Sequence, residues 1–259
     1  MFRRRVCLQS RACMMSQTGH LGIGMQDNVA VVTGGTGGLG RALLPYLIRR
    51  NFKIAVTYLI PEEARKLEDA VGLDEDQLML RRCDCTDAEA VESVMKEAAE
   101  TFGGINVVAA LVGGWAGGRD LAETDTVRFD RMIDLNLRST FYTLRAALPH
   151  MRDADWGRLI AIGSRAAIEN PTGQAAFNAS KAAVMSMIQS LATELDDTNL
   201  TANVLVPSVI DTQATRAALP YADYMHWPKP SEIAAVLDFL LSPASAVING
   251  ATIPVYGKV

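Results

Sequence analysis

The chain is poor in cysteine. Of its four, Cys7 and Cys13 lie near the N-terminus and Cys83 and Cys85 form a pair, too few for a disulfide framework in 259 residues. A reducing compartment is the resulting expectation. No second Cys or His pair follows Cys83-x-Cys85, so the other half of a metal site is missing, and on a strand this spacing puts two small side chains on one face. Long apolar runs are also lacking. The stretch from Ile105 to Val112, interrupted by Asn106, is far short of the ~20 residues needed to cross a bilayer, so no membrane partner is expected. There is no basic surplus either: the formal net charge is −4, with 25 Lys and Arg against 29 Asp and Glu. That balance gives no footprint for nucleic acid or an anionic surface and leaves a small molecule as the expected partner.

What is present is the composition of a folded protein with a large core. Hydrophobic residues make up 49% and charged residues 21%, and the length suits one α/β domain better than two. Residues 1–24 stand apart, with Arg3, Arg4, Arg5 and Arg11 and no acid. They are expected to be an over-extended or disordered leader before a domain over 25–259, with Met25 able to serve as a start. A transit peptide is the alternative, and it would change a cytoplasmic location to the mitochondrial matrix.

From Asn28 onward, short β-branched runs alternate with segments of helical period. Strands are expected at Val29–Thr33, Lys53–Tyr58, Leu78–Asp84, Asn106–Val112, Arg158–Gly163, Thr201–Val206 and near Ala251–Val255. Long helices are expected at Leu39–Arg50, Asp87–Phe102, Thr126–Met151 and Gln174–Leu195, with a kink at Pro45. This alternation predicts one doubly wound, Rossmann-type α/β domain with a mainly parallel sheet of about seven strands and ligands bound at the carboxyl ends of the strands.

Thr33-Gly34-Gly35-Thr36-Gly37-Gly38-Leu39-Gly40 joins the first strand to the first helix. Glycines there permit positive φ and close backbone approach, and the helix N-terminus offers free N–H groups to a pyrophosphate. With that context, the turn is expected to bind a dinucleotide. At the end of the second strand, Thr57, Tyr58, Leu59 and Ile60 supply neither a carboxylate for the adenosine ribose nor a cation for a 2′-phosphate. The choice of NAD(H) or NADP(H) stays open, with a slight lean to NADP(H).

The spacing Thr-Gly-x-x-x-Gly-x-Gly resembles that of the short-chain dehydrogenase/reductase family, and the resemblance extends over nearly all of residues 26–259. It implies that Thr33, Gly34, Thr36, Gly38, Leu39 and Gly40 hold the dinucleotide and that Asp84 meets its adenine, a surface cap being the alternative for Asp84. Leu111-Val112-Gly113-Gly114 stands where the family usually has Asn-Asn-Ala-Gly, so Gly113 keeps the glycine end of that loop. Pro207, Ile210 and Thr212 match the segment that meets the nicotinamide carboxamide, with Ser208 in place of a glycine.

The same resemblance implies catalytic roles. Asn136 matches the asparagine that holds a proton-relay water, Ser164 the serine that hydrogen-bonds the substrate oxygen, and Lys181 the lysine that binds the nicotinamide ribose. Phe177 lies thirteen residues after Ser164 and four before Lys181, where the family has its catalytic tyrosine. A phenyl ring neither donates nor accepts a proton, and losing such a group costs roughly 10² to 10⁴ in rate. The expected function is therefore an NAD(P)-dependent oxidoreductase interconverting a small carbonyl and alcohol, with the proton drawn from a water held by Ser164, Lys181 and Asn136 or from Tyr221, Tyr224 or His226. Those last three belong to an aperiodic, aromatic-rich segment over 211–230 that reads as a substrate lid. A non-catalytic dinucleotide-binding protein is the alternative. The family also pairs the helices at 126–151 and 174–195 in homodimers or homotetramers, and small residues such as Ala182 and Ala183 would permit that approach.

Overall fold

The computed structural model describes residues 28–152 and 154–258, so the expectations for residues 1–24 lie outside the described residues. Seven strands form a single sheet: β1 (Val29–Thr33), β2 (Lys53–Tyr58), β3 (Leu78–Arg82), β4 (Val107–Ala110), β5 (Gly157–Ile162), β6 (Leu200–Pro207) and β7 (Thr252–Val255). Their order is β3-β2-β1-β4-β5-β6-β7, and every pairing is parallel. The order reverses between β1 and β4, and a doubly wound sheet binds ligands in the crevice at such a switch point.

Parallel strands covered on both faces need apolar side chains in both directions, which is why β1, β4 and β5 read as near-continuous apolar runs. Val108, Leu159 and Ala161 join one core, while Val107, Ala109, Ile160 and Ile162 join the other. The first core is closed by α3 (Ala88–Phe102), α5 (Ser139–Ala147) and α7 (Ala175–Glu194) through residues such as Met95, Leu144 and Ile188. The second is closed by α1 (Gly38–Arg49), α2 (Pro61–Val71) and α9 (Pro230–Leu240) through Leu43, Leu67 and Leu237. Each fully buried Leu or Ile adds about 1.5 to 3 kcal/mol. Helix α1 continues through Pro45, which lies on its exposed side, so the carbonyl left without a donor faces water.

The helix expected over Thr126–Met151 is not one element. It comprises α4 (Thr126–Met132), a π-helical segment at Ile133–Arg138, α5, and a 3₁₀ turn at Leu148–His150. A π segment accommodates an extra residue per turn and rotates the side chains beyond it. Here it contains Asn136, which is fully buried. Two short helices, α6 (Ala166–Glu169) and α8 (Gln213–Ala218), and 3₁₀ turns at Leu121–Glu123 and Pro243–Ser245 complete the regular structure among the described residues. Helix α8 corrects the expectation of an aperiodic segment over 211–230.

Arg158, the second residue of β5, is almost wholly buried. Its guanidinium donates to the carbonyls of Ser242 at 3.1 Å and Gly157 at 2.7 Å and lies over the Trp156 ring. A planar, multiply donating cation thereby ties β5 to the segment after α9, although burial lowers its pKa.

Candidate active site

The glycine turn leaves β1 and enters α1 without a side-chain cap at Gly37 and without an acid in the first helical turn. The N-terminal N–H groups and positive dipole end of α1 are thus open to an anion. Two glycines are demanded by close approach. A Cβ on Gly40 would lie 2.4 Å from Gly35 Cα, so α1 packs directly on its own turn. A Cβ on Gly38 would lie 2.9 Å from Thr212 Cγ2, which brings the turn against the loop after β6. At the root of the turn, Gly34 has φ +69 and donates its N–H to Thr57 Oγ1 at 3.0 Å, while Thr33 Oγ1 is buried without a hydrogen-bond partner. Thr36 is nearly buried; its hydroxyl donates to Glu63 Oε2 at 3.0 Å, and its carbonyl accepts from Arg41 Nε at 2.7 Å. A free helix N-terminus, a cradle that a Cβ would fill and an orphaned hydroxyl fit a dinucleotide pyrophosphate.

Asp84 is exposed just past β3, and its Oδ1 accepts from Thr86 N–H and Thr86 Oγ1 at 2.9 and 2.7 Å. This local turn does not cap α3, whose N-cap is Asp87. Cys83 and Cys85 are buried in the same core, and among the described residues no cluster of potential metal ligands occurs.

Beyond β4 the loop lacks asparagines, and Asn136 takes over its support. Its Oδ1 accepts from Gly114 N–H at 3.0 Å, and its Nδ2 donates to the Gly114 carbonyl and to Ser180 Oγ, each at 3.0 Å. Both amide hydrogens are thus used, leaving none to hold a water, so the side chain fixes the loop. A Cβ on Gly113 would lie 2.9 Å from Asn136 Oδ1 and 3.2 Å from Lys181 Nζ, so only glycine lets both approach. Ser180, which sequence reasoning missed, also donates to the Phe177 carbonyl at 2.8 Å.

The strand ends, α7 and α8 enclose a cavity of about 840 Å³. Leu39, Gly113, Ser164, Phe177, Lys181, Pro207, Ile210 and Thr212 all reach it, so predicted residues from five separate chain segments converge on one space. Lys181 is buried, donates from Nζ to the Ile162 carbonyl at 2.8 Å, and is pushed by desolvation down to about 8. The other charged residues of the wall, Arg165 and Glu169, pair with each other at 2.7 Å. Ser164 Oγ accepts from Ala166 N–H at 3.2 Å, leaving its hydrogen available. Phe177 packs with Met132, Ala176, Leu135, Ala116 and Ala166, and its ring forms an apolar part of the wall.

The aromatic residues expected to contact substrate lie elsewhere. Tyr221 is wholly exposed, while Tyr224 and His226 are exposed and outside the cavity lining. The Tyr224 ring is engaged by Trp227 and the Arg216 guanidinium. In their place the wall takes Trp227 and Trp115, the latter donating from Nε1 to Gln174 Oε1 at 2.9 Å. Aromatic type alone could not say which ring turns inward.

Over residues 28–221 the chain matches the short chain dehydrogenase family. It is 34% identical over 235 residues to the 3-oxoacyl-[acyl-carrier-protein] reductase MabA of Mycobacterium tuberculosis, covering 88% of this chain and 90% of that one. Among solved structures, it resembles the short-chain dehydrogenase/reductase SDR:glucose/ribitol dehydrogenase of Brucella melitensis, with 29% identity, a TM-score of 0.78 and coverage of 89% and 95% of the two chains. A blue fluorescent protein from a metagenomic library, solved in complex with NADPH, is similar at 28% identity and a TM-score of 0.79, with coverage of 89% and 97%.

Proposed function

The chain belongs to the short-chain dehydrogenase family, and from that premise we propose that it is an NAD(P)-dependent oxidoreductase acting on a small, largely apolar carbonyl or alcohol, with Lys181 rather than a tyrosine as its proton-transfer group. The observation that carries this reading is the cavity itself, where Lys181 and Ser164 face the same space as the loop packed against the glycine turn. A nicotinamide dinucleotide supplies or accepts the hydride. The α1 N-terminus would hold its pyrophosphate and Ile210 and Thr212 its nicotinamide end, with Ser164 Oγ available to donate to a substrate oxygen. Asp84 stands on the adenosine side.

Phe177 occupies the position of the family's tyrosine, so no phenol delivers the proton. Lys181 is the ionisable wall residue not engaged in an ion pair there, and a lowered pKa makes an ammonium a better acid. Trp115, Phe177 and Trp227 make the substrate side apolar, in keeping with an unionised substrate. The packing of Phe177 in its apolar cluster favours a second reading, a dinucleotide-binding protein without turnover. On the outer face, exposed Val127, Phe129 and Phe141 with the small Ala182 support assembly into a homodimer or homotetramer, which light scattering would reveal.

The deciding experiment is a fluorescence titration with NADH and NADPH, followed by turnover against a panel of aldehydes and ketones. Binding with slow reduction is expected. Binding without any turnover favours the second reading, and absence of binding contradicts both.

A further inference from the structure

We propose that Glu63, a residue of the first turn of α2, selects NAD(H) over NADP(H) by placing a carboxylate where the adenosine ribose meets the glycine turn. The proposal rests on the dinucleotide-binding reading above. In a doubly wound fold the adenosine ribose lies at the end of the second strand, and an acid about 20 residues beyond the glycines accepts from its hydroxyls. The strand end has no such acid: Thr57 is occupied by the Gly34 N–H, and Leu59 and Ile60 are exposed apolar residues.

The structure brings an acid there by another route. Glu63 is half-buried, and its Oε2 is held at 3.0 Å by the hydroxyl of Thr36, which is itself inside the glycine turn. Oε1 then remains to accept from a ribose hydroxyl. Among the described residues no ion pair offsets this charge. Arg65 and Lys66 both pair with Glu62, while Arg41 keeps its charge but is turned through Nε to the Thr36 carbonyl and makes no ion pair with Glu63. A ribose diol donates to a carboxylate so placed, whereas a 2′-phosphate would set nearly two negative charges against it in a partly desolvated position. This runs against the slight lean to NADP(H), which rested on residues 57–60 and on no residue of α2.

The test is titration of the full chain and its Glu63→Gln variant with NADH and with NADPH, following nicotinamide fluorescence. Glutamine keeps one oxygen to accept from Thr36, removes the charge and puts an amide donor where the second carboxylate oxygen stood. The native chain is expected to bind NADH more tightly by about tenfold, and the variant to gain about tenfold for NADPH while losing roughly fivefold for NADH with the ribose acceptor. Equal or tighter NADPH binding by the native chain, or a ratio unmoved by the substitution, overturns the selection by Glu63 and leaves the oxidoreductase reading standing. Failure of both proteins to bind either dinucleotide overturns both.

Discussion

The two ends of the cleft are built to different standards. At the glycine turn the backbone is packed so tightly that Gly40 touches Gly35 and Gly38 faces Thr212, which leaves an anion cradle closed on several sides. At the cavity end, Ser164 and Lys181 stand beside an apolar ring, and Asn136 is committed to holding the loop. If the proposed function holds, binding and proton transfer are separable in this chain: the first would depend on backbone shape, the second on one buried amine. Substitutions at one end should leave the other nearly untouched, and that separation can be tested directly.

The largest change is expected from Phe177→Tyr, which places a phenol four residues from Lys181. Steady-state reduction should rise roughly 10²- to 10⁴-fold while dinucleotide affinity stays within about twofold. Next comes Gly40→Val. Side-chain atoms driven into the Gly35 backbone force the turn open, and overpacking of this kind costs about 1 to 3 kcal/mol, so NADH affinity should fall by roughly 10- to 100-fold in a titration.

A pH effect on stability isolates the cavity end without any ligand. Burial lowers Lys181 from 10.5 to about 8, so between those values the unfolded chain binds more protons than the folded one and stability rises with pH. Below about pH 8 the full cost of burying the ammonium is present; by pH 10.5 most of it is gone, a gain of about 3 kcal/mol at most. In denaturant titrations the native chain should therefore gain stability relative to Lys181→Met as pH rises across this window, and parallel curves would show that Lys181 is not desolvated. The smallest effects concern the rim. Trp115→Ala should raise KM roughly fivefold through lost apolar contact, whereas Tyr221→Ala should change nothing measurable, since that ring touches only solvent.

Most of the architecture was legible in the sequence. Val29–Thr33 and Lys53–Tyr58 match the expected strands to the residue, because apolar runs bounded by glycine, asparagine or a helix start have few other solutions in a parallel sheet. The long helix over 126–151 was not legible as built, since a π segment barely alters the apolar period while it turns Asn136 inward. The turn and the cavity residues Ser164, Phe177 and Lys181 stood out because their chemistry is bound to strand ends and to one helical face. Glu63, Trp115 and Trp227 did not: the two tryptophans come from loops, where no periodicity fixes direction, and Glu63 meets Thr36 from the first turn of α2, 27 residues away. Asn136 illustrates a mixed outcome: its place was readable, but its side-chain partners come from a loop 22 residues away and from Ser180 of α7.

The measurement that tests the division of labour most directly is the pH dependence of carbonyl reduction by the native chain at saturating NADH. With Lys181 as the proton donor, the rate should be level below about pH 8 and then fall about tenfold per unit as the ammonium is lost. A rate that stays level from about pH 6 to about pH 10, with the dinucleotide still bound, would contradict that role for Lys181.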